Sequence, residues 1–313
     1  MRDVSKFELL NVKGDCFDII VASFAKWLKG EYRHLFIDCL GFGLSESGET
    51  VGEKIFVAKG DIIATANKNG INTSVYNMKN LYITDICCLL CELNPIVMEF
   101  DEFDCSWRKN YRKLHRKHFI LIFKYCIETG SFICTDTIPT DGYLKLSQEY
   151  IASFAKKVIC LSDNMNPIAP IDMKQSLSYS IRKFSDRDKF GSIWDRFNLF
   201  IDDMLTIKSL EKESLLFTDV DIVNMPLIWN LKNIQFSFEQ YKLFLNFTSF
   251  SGTKELFELI NGIIKDLEIA INVLILSIIR NEYFLSIEKV RSYLRSAVNS
   301  MKDFAGMLML IGK

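Results

Sequence analysis

Three strand-like segments in close order, 96–100 (IVMEF), 118–127 (HFILIFKYCI) and 132–135 (FICT), constrain the first half of this chain more than any other feature. Their β-branched and aromatic content suits a pleated, half-buried surface. Thr129-Gly130 breaks the last two apart, so the pattern predicts a strand followed by a hairpin. Beyond the hairpin the period changes. Residues 190–210, 235–247, 253–280 and 286–310 all repeat apolar side chains at helical spacing, with Ser251-Gly252-Thr253 and Ser286 as expected helix starts. The stretch 164–172 (NMNPIAPID) holds two of the five prolines and reads as a linker. The expected organisation is a mixed domain over 1–172 and a helical domain or cap over 173–313.

Within the first half, 16–29 (CFDIIVASFAKWLK) places apolar residues at 17, 20, 21, 24, 27 and 28, the stripe of an amphipathic helix, with Asp15 where an N-cap belongs. After a Gly41-Phe42-Gly43 connection come short segments near 54–66 and 70–77. A helix over 84–93 starts at Thr84 or Asp85 and is broken by Asn94-Pro95; another, over 146–157, is introduced by Ser147.

Several function classes fall away on simple counts. With 38 Lys+Arg against 39 Asp+Glu the net charge is −1, which removes the basic bias of a dedicated nucleic-acid binder. The most apolar run, 267–279 (LEIAINVLILSII), has 13 residues and contains Glu268 and Asn272, short of the roughly 20 residues a membrane span needs. The first sixteen residues carry charges throughout and offer no apolar signal region, so the expectation is a cytoplasmic protein with no membrane partner. Nine cysteines without repeated spacing read as reduced thiols. Cys87, Cys88 and Cys91 lack the second ligand pair that a zinc site requires, so no metal is expected. The P-loop, the dinucleotide fingerprint, HExxH and GxSxG are all absent.

What remains for chemistry is a cysteine at a helix start and a histidine opening a hairpin. In the first helical turn Cys16 would meet unpaired N–H groups and the positive end of the helix dipole, which lower a thiol pKa and offer oxyanion donors. Only His34, His115 and His118 can serve a histidine-dependent mechanism. His118 starts a strand, expected to be exposed at an edge yet held by regular backbone. His115 lies in a charged loop with no strand to hold it, and His34 lies past the end of the first helix. Asp136 closes the next strand, where the hairpin returns it near the level of His118. The plainer readings stand beside these: a buried structural thiol for Cys16 and a turn or capping residue for Asp136.

The succession GDC-FDIIVASFAKWL, LGFGLSE, NPIVMEFDEFD, KHFILIFKY and FICTDT, over roughly residues 5–160, resembles the N-terminal domain of the butirosin biosynthesis protein H family. The resemblance implies an α+β, papain-like cysteine-protease fold, in which a helix bearing the thiol packs on a small antiparallel sheet, followed by a C-terminal helical region. It places thiol, imidazole and carboxylate at Cys16, His118 and Asp136. The Gln that papain-like peptidases carry upstream of the thiol is missing, and Asn11 is the candidate substitute in an oxyanion hole or else a solvated turn residue.

Members of that family transfer acyl groups from carrier-protein thioesters to amines, and similar papain-like relatives serve amide formation in closthioamide assembly. The resemblance therefore implies a cysteine-dependent acyltransferase in natural-product assembly. It would need no cofactor of its own, because its substrate rides on the phosphopantetheine of an acyl or peptidyl carrier protein and passes to an amine acceptor. A peptidase or thioesterase acting through the same acyl-enzyme, and a non-catalytic papain-like scaffold, are the alternatives. Arg108, Lys109, Arg112, Lys113, Arg116 and Lys117 put six cations within ten residues directly before His118, a candidate docking rim for an acidic carrier or otherwise a solvated loop. Nucleic acid is not an expected partner; a second copy of the chain is compatible with the sequence.

Overall fold

The computed structural model describes residues 6–93, 95–137, 143–164, 173–248 and 253–311. In chain order its elements are α1 (Cys16–Lys29), β1 (Gly43–Leu44), α2 (Val51–Lys54), β2 (Ile55–Phe56), α3 (Ile62–Lys68), β3 (Ile71–Asn77), α4 (Ile83–Leu93), β4 (Ile96–Asp101), β5 (Lys117–Cys126), β6 (Ser131–Asp136), β7 (Leu144–Ser147), α5 (Gln148–Phe154) and β8 (Lys157–Asp163). After these come α6 (Met173–Ser185), β9 (Arg187–Asp188), β10 (Gly191–Ser192), α7 (Ile193–Leu199), α8 (Ile207–Leu216), α9 (Pro226–Phe247), α10 (Thr253–Arg280) and α11 (Tyr283–Ile311). The protein is thus α+β, with a six-stranded antiparallel sheet and a C-terminal helical region. Among the described residues no helix is long and apolar enough to cross a membrane.

Two compact units divide the chain, residues 1–35 with 61–169 and residues 36–60 with 170–313. The second therefore takes a segment that the sequence reading placed in the first. Its reason is burial and hydrogen bonding. Phe42 stacks on Phe197 at 3.8 Å, and Val51 and Ile55 are buried. The Gly52 N–H donates to the buried Glu213 carboxylate at 3.0 Å, while Lys183 pairs with Asp38 and donates to the carbonyls of Leu40 and Ala58. Most of the expected linker, 165–172, and most of the expected Ser251-Gly252-Thr253 start lie outside the described residues. The last helix starts at Tyr283, so Ser286 falls inside its first turn.

In the first unit the strand order is β3-β8-β4-β5-β6-β7. Alternation along the strands gives the sheet two apolar faces. Met98, Phe100, Ile120, Ile122, Phe132, Cys134 and Val158 pack with Ile86 and Leu90 of α4 and Ile151 of α5. On the other face α1 packs across β5 and β8, with Phe17 against Phe119 at 4.5 Å. The helix reading of 146–157 resolves into the end of β7, the short α5 capped by Ser147 (Tyr150 N–H to Ser147 Oγ, 3.2 Å) and the start of β8. Helix α4 begins at Ile83, one residue before Thr84. Asp85 sits in its first turn and accepts the Tyr82 N–H at 2.8 Å; Asn94 is outside the described residues.

One irregularity in the sheet positions everything that follows. Between β5 and β6 the register runs Cys126↔Ser131, Tyr125↔Phe132 and Lys124↔Ile133, then shifts to Ile122↔Cys134, Leu121↔Thr135 and Ile120↔Asp136, leaving Phe123 as a β-bulge. Phe123 seats its ring against Phe7, whose own ring packs on Phe24 of α1. Without the extra residue Asp136 would fall opposite Leu121. With it, Asp136 faces Ile120, two residues from His118 on the same side of the sheet. A one-residue slip would have turned the carboxylate to the opposite face.

Candidate active site

Helix α1 starts as its sequence dictates. Asp15 is the N-cap and accepts the Asp18 N–H at 2.9 Å, Gly30 ends the helix in a left-handed turn (φ 78°), and Ile20, Val21, Phe24 and Ala25 are wholly buried. Cys16 is therefore held in the first turn, half-buried. His118 is the second residue of β5, and the diagonal relation to Asp136 set by the bulge lets the side chains meet, imidazole Nε2 to Asp136 Oδ2 at 2.7 Å. That leaves Nδ1 as the ring nitrogen open to a thiol. His118 is 3% exposed rather than open at an edge, because β5 is an interior strand with Phe100 of β4 directly opposite.

Asp136 collects more than the imidazole. The Trp107 Nε1–H donates to the same Oδ2 at 2.9 Å, and Arg108 Nη1 lies 3.8 Å from it. Burial alone would raise this carboxyl, but the hydrogen bond from His118 and its charge when protonated, the charge of Arg108 and the Trp107 indole hold it below the ordinary carboxylate range. Trp107 and Arg108 are the site residues that sequence reasoning did not place beside Asp136. Both lie in an irregular loop whose fold depends on tertiary contacts.

That loop is organised around Glu102, 1% exposed. Its carboxylate receives Arg116 Nε and Nη2 at 2.8 and 2.6 Å, Arg108 Nε and Nη2 at 3.3 Å each, and Asn110 Nδ2 at 3.1 Å. Two of the six cations of the expected docking rim, Arg108 and Arg116, are thus turned inward to a buried charge. Lys109, Arg112, Lys113 and Lys117 are exposed; Arg112 pairs with Asp104 at 3.5 Å and lies over the Phe103 ring. His115 stacks on Phe103 at 4.1 Å and contacts Asp101 at 3.1 Å, away from the His118–Asp136 pair. His34 is buried, and that burial lowers its pKa to about 4. Asn11 is exposed.

The thiol departs from the sequence expectation. Its pKa is pushed up to about 12, first by burial, then by the charges of Asp15 and Asp136, while the Phe119 N–H beside it and the charge of Arg108 pull the other way. The acid that caps the helix offsets the dipole that was expected to acidify the thiol. Cys16 thus lies within the electrostatic reach of Asp136 and Arg108, but among the described residues no hydrogen bond joins it to His118. Cys105 is the other thiol near Asp136; it is wholly buried and donates to the Asp101 carbonyl at 3.3 Å. Among the described residues no group of three or more His, Cys, Asp or Glu side chains is arranged to hold a metal ion. No protein-family model matches the chain, and no curated protein matches it in sequence.

Chemically, the arrangement can orient an imidazole, stabilise it when protonated, and present it near a neutral thiol at a helix start. Since the thiol is held neutral well above physiological pH, its alkylation by iodoacetamide should rise about tenfold per pH unit from about pH 7 to 10, with Cys16 separated from the exposed Cys88 and Cys91 by peptide mapping. A plateau below about pH 8 would reveal a preformed thiolate instead. Arg116→Met should lower the unfolding free energy by about 3 kcal/mol in urea titrations, because it strips a buried carboxylate of its best partner. Lys113→Met, at an exposed position, should stay within about 0.5 kcal/mol.

Proposed function

We propose that this protein is a papain-like, cysteine-dependent acyltransferase that takes an acyl group from a carrier-protein thioester onto Cys16 and passes it to an amine. The observation that carries the reading is the buried His118–Asp136 hydrogen bond, which leaves Nδ1 available at the end of β5 where a helix-start thiol comes in from α1. The resemblance to the butirosin protein H family supports the choice of substrate class.

In the proposed reaction His118 Nδ1 takes the Cys16 proton as sulfur attacks the thioester carbonyl, and Asp136 stabilises the resulting imidazolium. The tetrahedral oxyanion lies at the first turn of α1, whose N–H groups are the donors available to it; Asn11 is a further candidate donor. Collapse breaks the bond to the phosphopantetheine sulfur, which leaves with the proton from His118. An amine then attacks the Cys16 thioester, His118 accepts its proton, the C–S bond breaks, and the thiolate is reprotonated. The net result is an amide and a free carrier thiol, with no redox change. Water in place of the amine gives the hydrolytic alternative through the same intermediate. The raised pKa of Cys16 favours the competing reading of a non-catalytic scaffold.

Intact-protein mass spectrometry after mixing with an N-acetylcysteamine acyl thioester separates these readings. Acyl transfer requires a mass increase of one acyl group on the wild type and none on Cys16→Ala; no adduct, or one that survives that substitution, refutes it. Adding an amine to the adduct should release amide in excess of free acid. For the carrier, Arg112→Glu/Lys113→Glu should slow acylation from a carrier-bound substrate at least about fivefold while sparing the small thioester, since exposed rim charges act on encounter. Equal loss on both substrates would count against docking at this loop.

A further inference from the structure

We propose that Arg108 is a positioning residue for the His118–Asp136 pair: locked in place by Glu102, its guanidinium balances the Asp136 carboxylate so that the imidazole can stand unprotonated beside it. The catalytic meaning rests on the acyl-transfer reading above, but the electrostatic claim rests on the geometry alone.

Consider the charges that face the pair. From the loop come Arg108, Glu102 and the buried Cys105; from α1 come Cys16 and Asp15; from β6 comes Asp136 itself; β4 places the uncharged Phe100 opposite His118. A buried carboxylate with an imidazole as its only cationic partner would be neutralised by holding that imidazole protonated. A protonated imidazole has no lone pair for a thiol proton, so such a pair would be well held and useless as a base. Here Arg108 contacts both buried acids, Glu102 and Asp136, while Arg116 contacts Glu102, so the imidazole is not the only cationic partner of Asp136.

Arg108 is fixed in a way a surface cation is not. Its side chain is 11% exposed, its Nε and Nη2 are spent on Glu102 Oε1, and Nη1 is thereby directed to Asp136 Oδ2 at 3.8 Å. Arg116 holds the other oxygen of Glu102, Oε2, and Asn110 donates to Oε1 beside Arg108, so the anchor does not depend on Arg108 alone. The same guanidinium lowers the thiol pKa of Cys16. Removing it should therefore move the two groups of the proposed proton transfer apart, with a more basic imidazole and a less acidic thiol.

The test is a histidine titration by NMR on the full chain labelled at its imidazoles, with the His118 signal assigned by its loss in His118→Asn. Arg108→Met should raise the His118 midpoint by roughly one pH unit, and Arg108→Lys, which keeps the charge, by less than half of that. Should Arg108→Met unfold, Arg108→Gln, which keeps a hydrogen-bond donor for Glu102 but no charge, must give the same upward shift. A His118 midpoint that stays put in a folded Met variant overturns the proposal. The readout separates the two claims. The predicted shift without any acyl-enzyme on the wild type would refute acyl transfer and keep the role of Arg108, whereas an acyl-enzyme with an unmoved midpoint would do the reverse. Where both hold, the acidic limb of the acylation rate profile moves to higher pH with the NMR midpoint.

Discussion

A carboxylate as deeply buried as Asp136, at 4% exposure, persists as an anion only where donors replace the water it has lost. Two arrive at one oxygen, from a strand imidazole and a loop indole, a loop guanidinium adds its charge from 3.8 Å, and each brings its own segment of chain into place. His118 is oriented through Nε2. Trp107 is tied down at its polar end while its ring packs edge-on to Phe100 at 6.2 Å. Arg108 carries the demand outward to Glu102, which fixes the start and the end of the 102–116 loop through Arg108, Asn110 and Arg116. An irregular stretch rich in cations is thereby given a single folded conformation around two buried anions.

None of this would assemble without the bulge. His118 belongs to β5 and Asp136 to β6, and the hairpin between them has a four-residue loop, 127–130, closed by Gly130 in the left-handed region (φ 61°). From that end alone the ladder would put Asp136 on the α1 face, where a carboxylate would meet the buried Leu121 and Val97. Phe123 absorbs one residue and re-phases the strand. Its ring is kept on the α1 side by Phe7, so packing on one face of the sheet determines which polar side chain appears on the other.

That dependence explains what could be read from the sequence and what could not. Helix α1 was legible to the residue, because its cap, apolar stripe and terminal glycine are all local signals. The strands β4, β5 and β6 were legible within a residue or so for the same reason. The bulge has no local signature; the run HFILIFKYC contains no glycine, and its break comes from a contact with Phe7, more than a hundred residues away in sequence. The inward turn of Arg108 and Arg116 was hidden because a cation next to other cations reads as solvated unless its buried partner is known. The short β7 and the strand β8 were missed or partly merged into helix, while β3 was read only as a short segment near 70–77 with no type assigned. Residues 36–60 fall in the second compact unit, a placement their sequence does not signal, since nothing in their composition tells which core buries Phe42.

The end of β6 matters as much as its register. Ile120↔Asp136 is its last rung with β5; one more would pair Phe119 with Thr137 and close the ladder over the backbone of Phe119. Because β6 stops, Phe119 keeps an N–H free to face the Cys16 sulfur, and α1, which packs on the opposite face from the His118–Asp136 pair, can bring its first turn to the same strand end. Thiol and imidazole thus approach β5 from opposite sides of the sheet, at the point where the sheet is one strand narrower. A carbonyl carbon placed at that end would have the helix N–H groups on one side and the imidazole on the other. On the proposed acyl-transfer reading, attack followed by proton delivery to a leaving thiolate would draw on groups from those two sides. The raised thiol pKa favours a non-catalytic scaffold, and on the proposed acyl-transfer reading it would require the proton to leave sulfur only as the carbonyl is attacked, with the imidazole free to receive it at that moment. On the same reading, the Arg108 guanidinium that Glu102 holds beside Asp136 bears directly on that freedom.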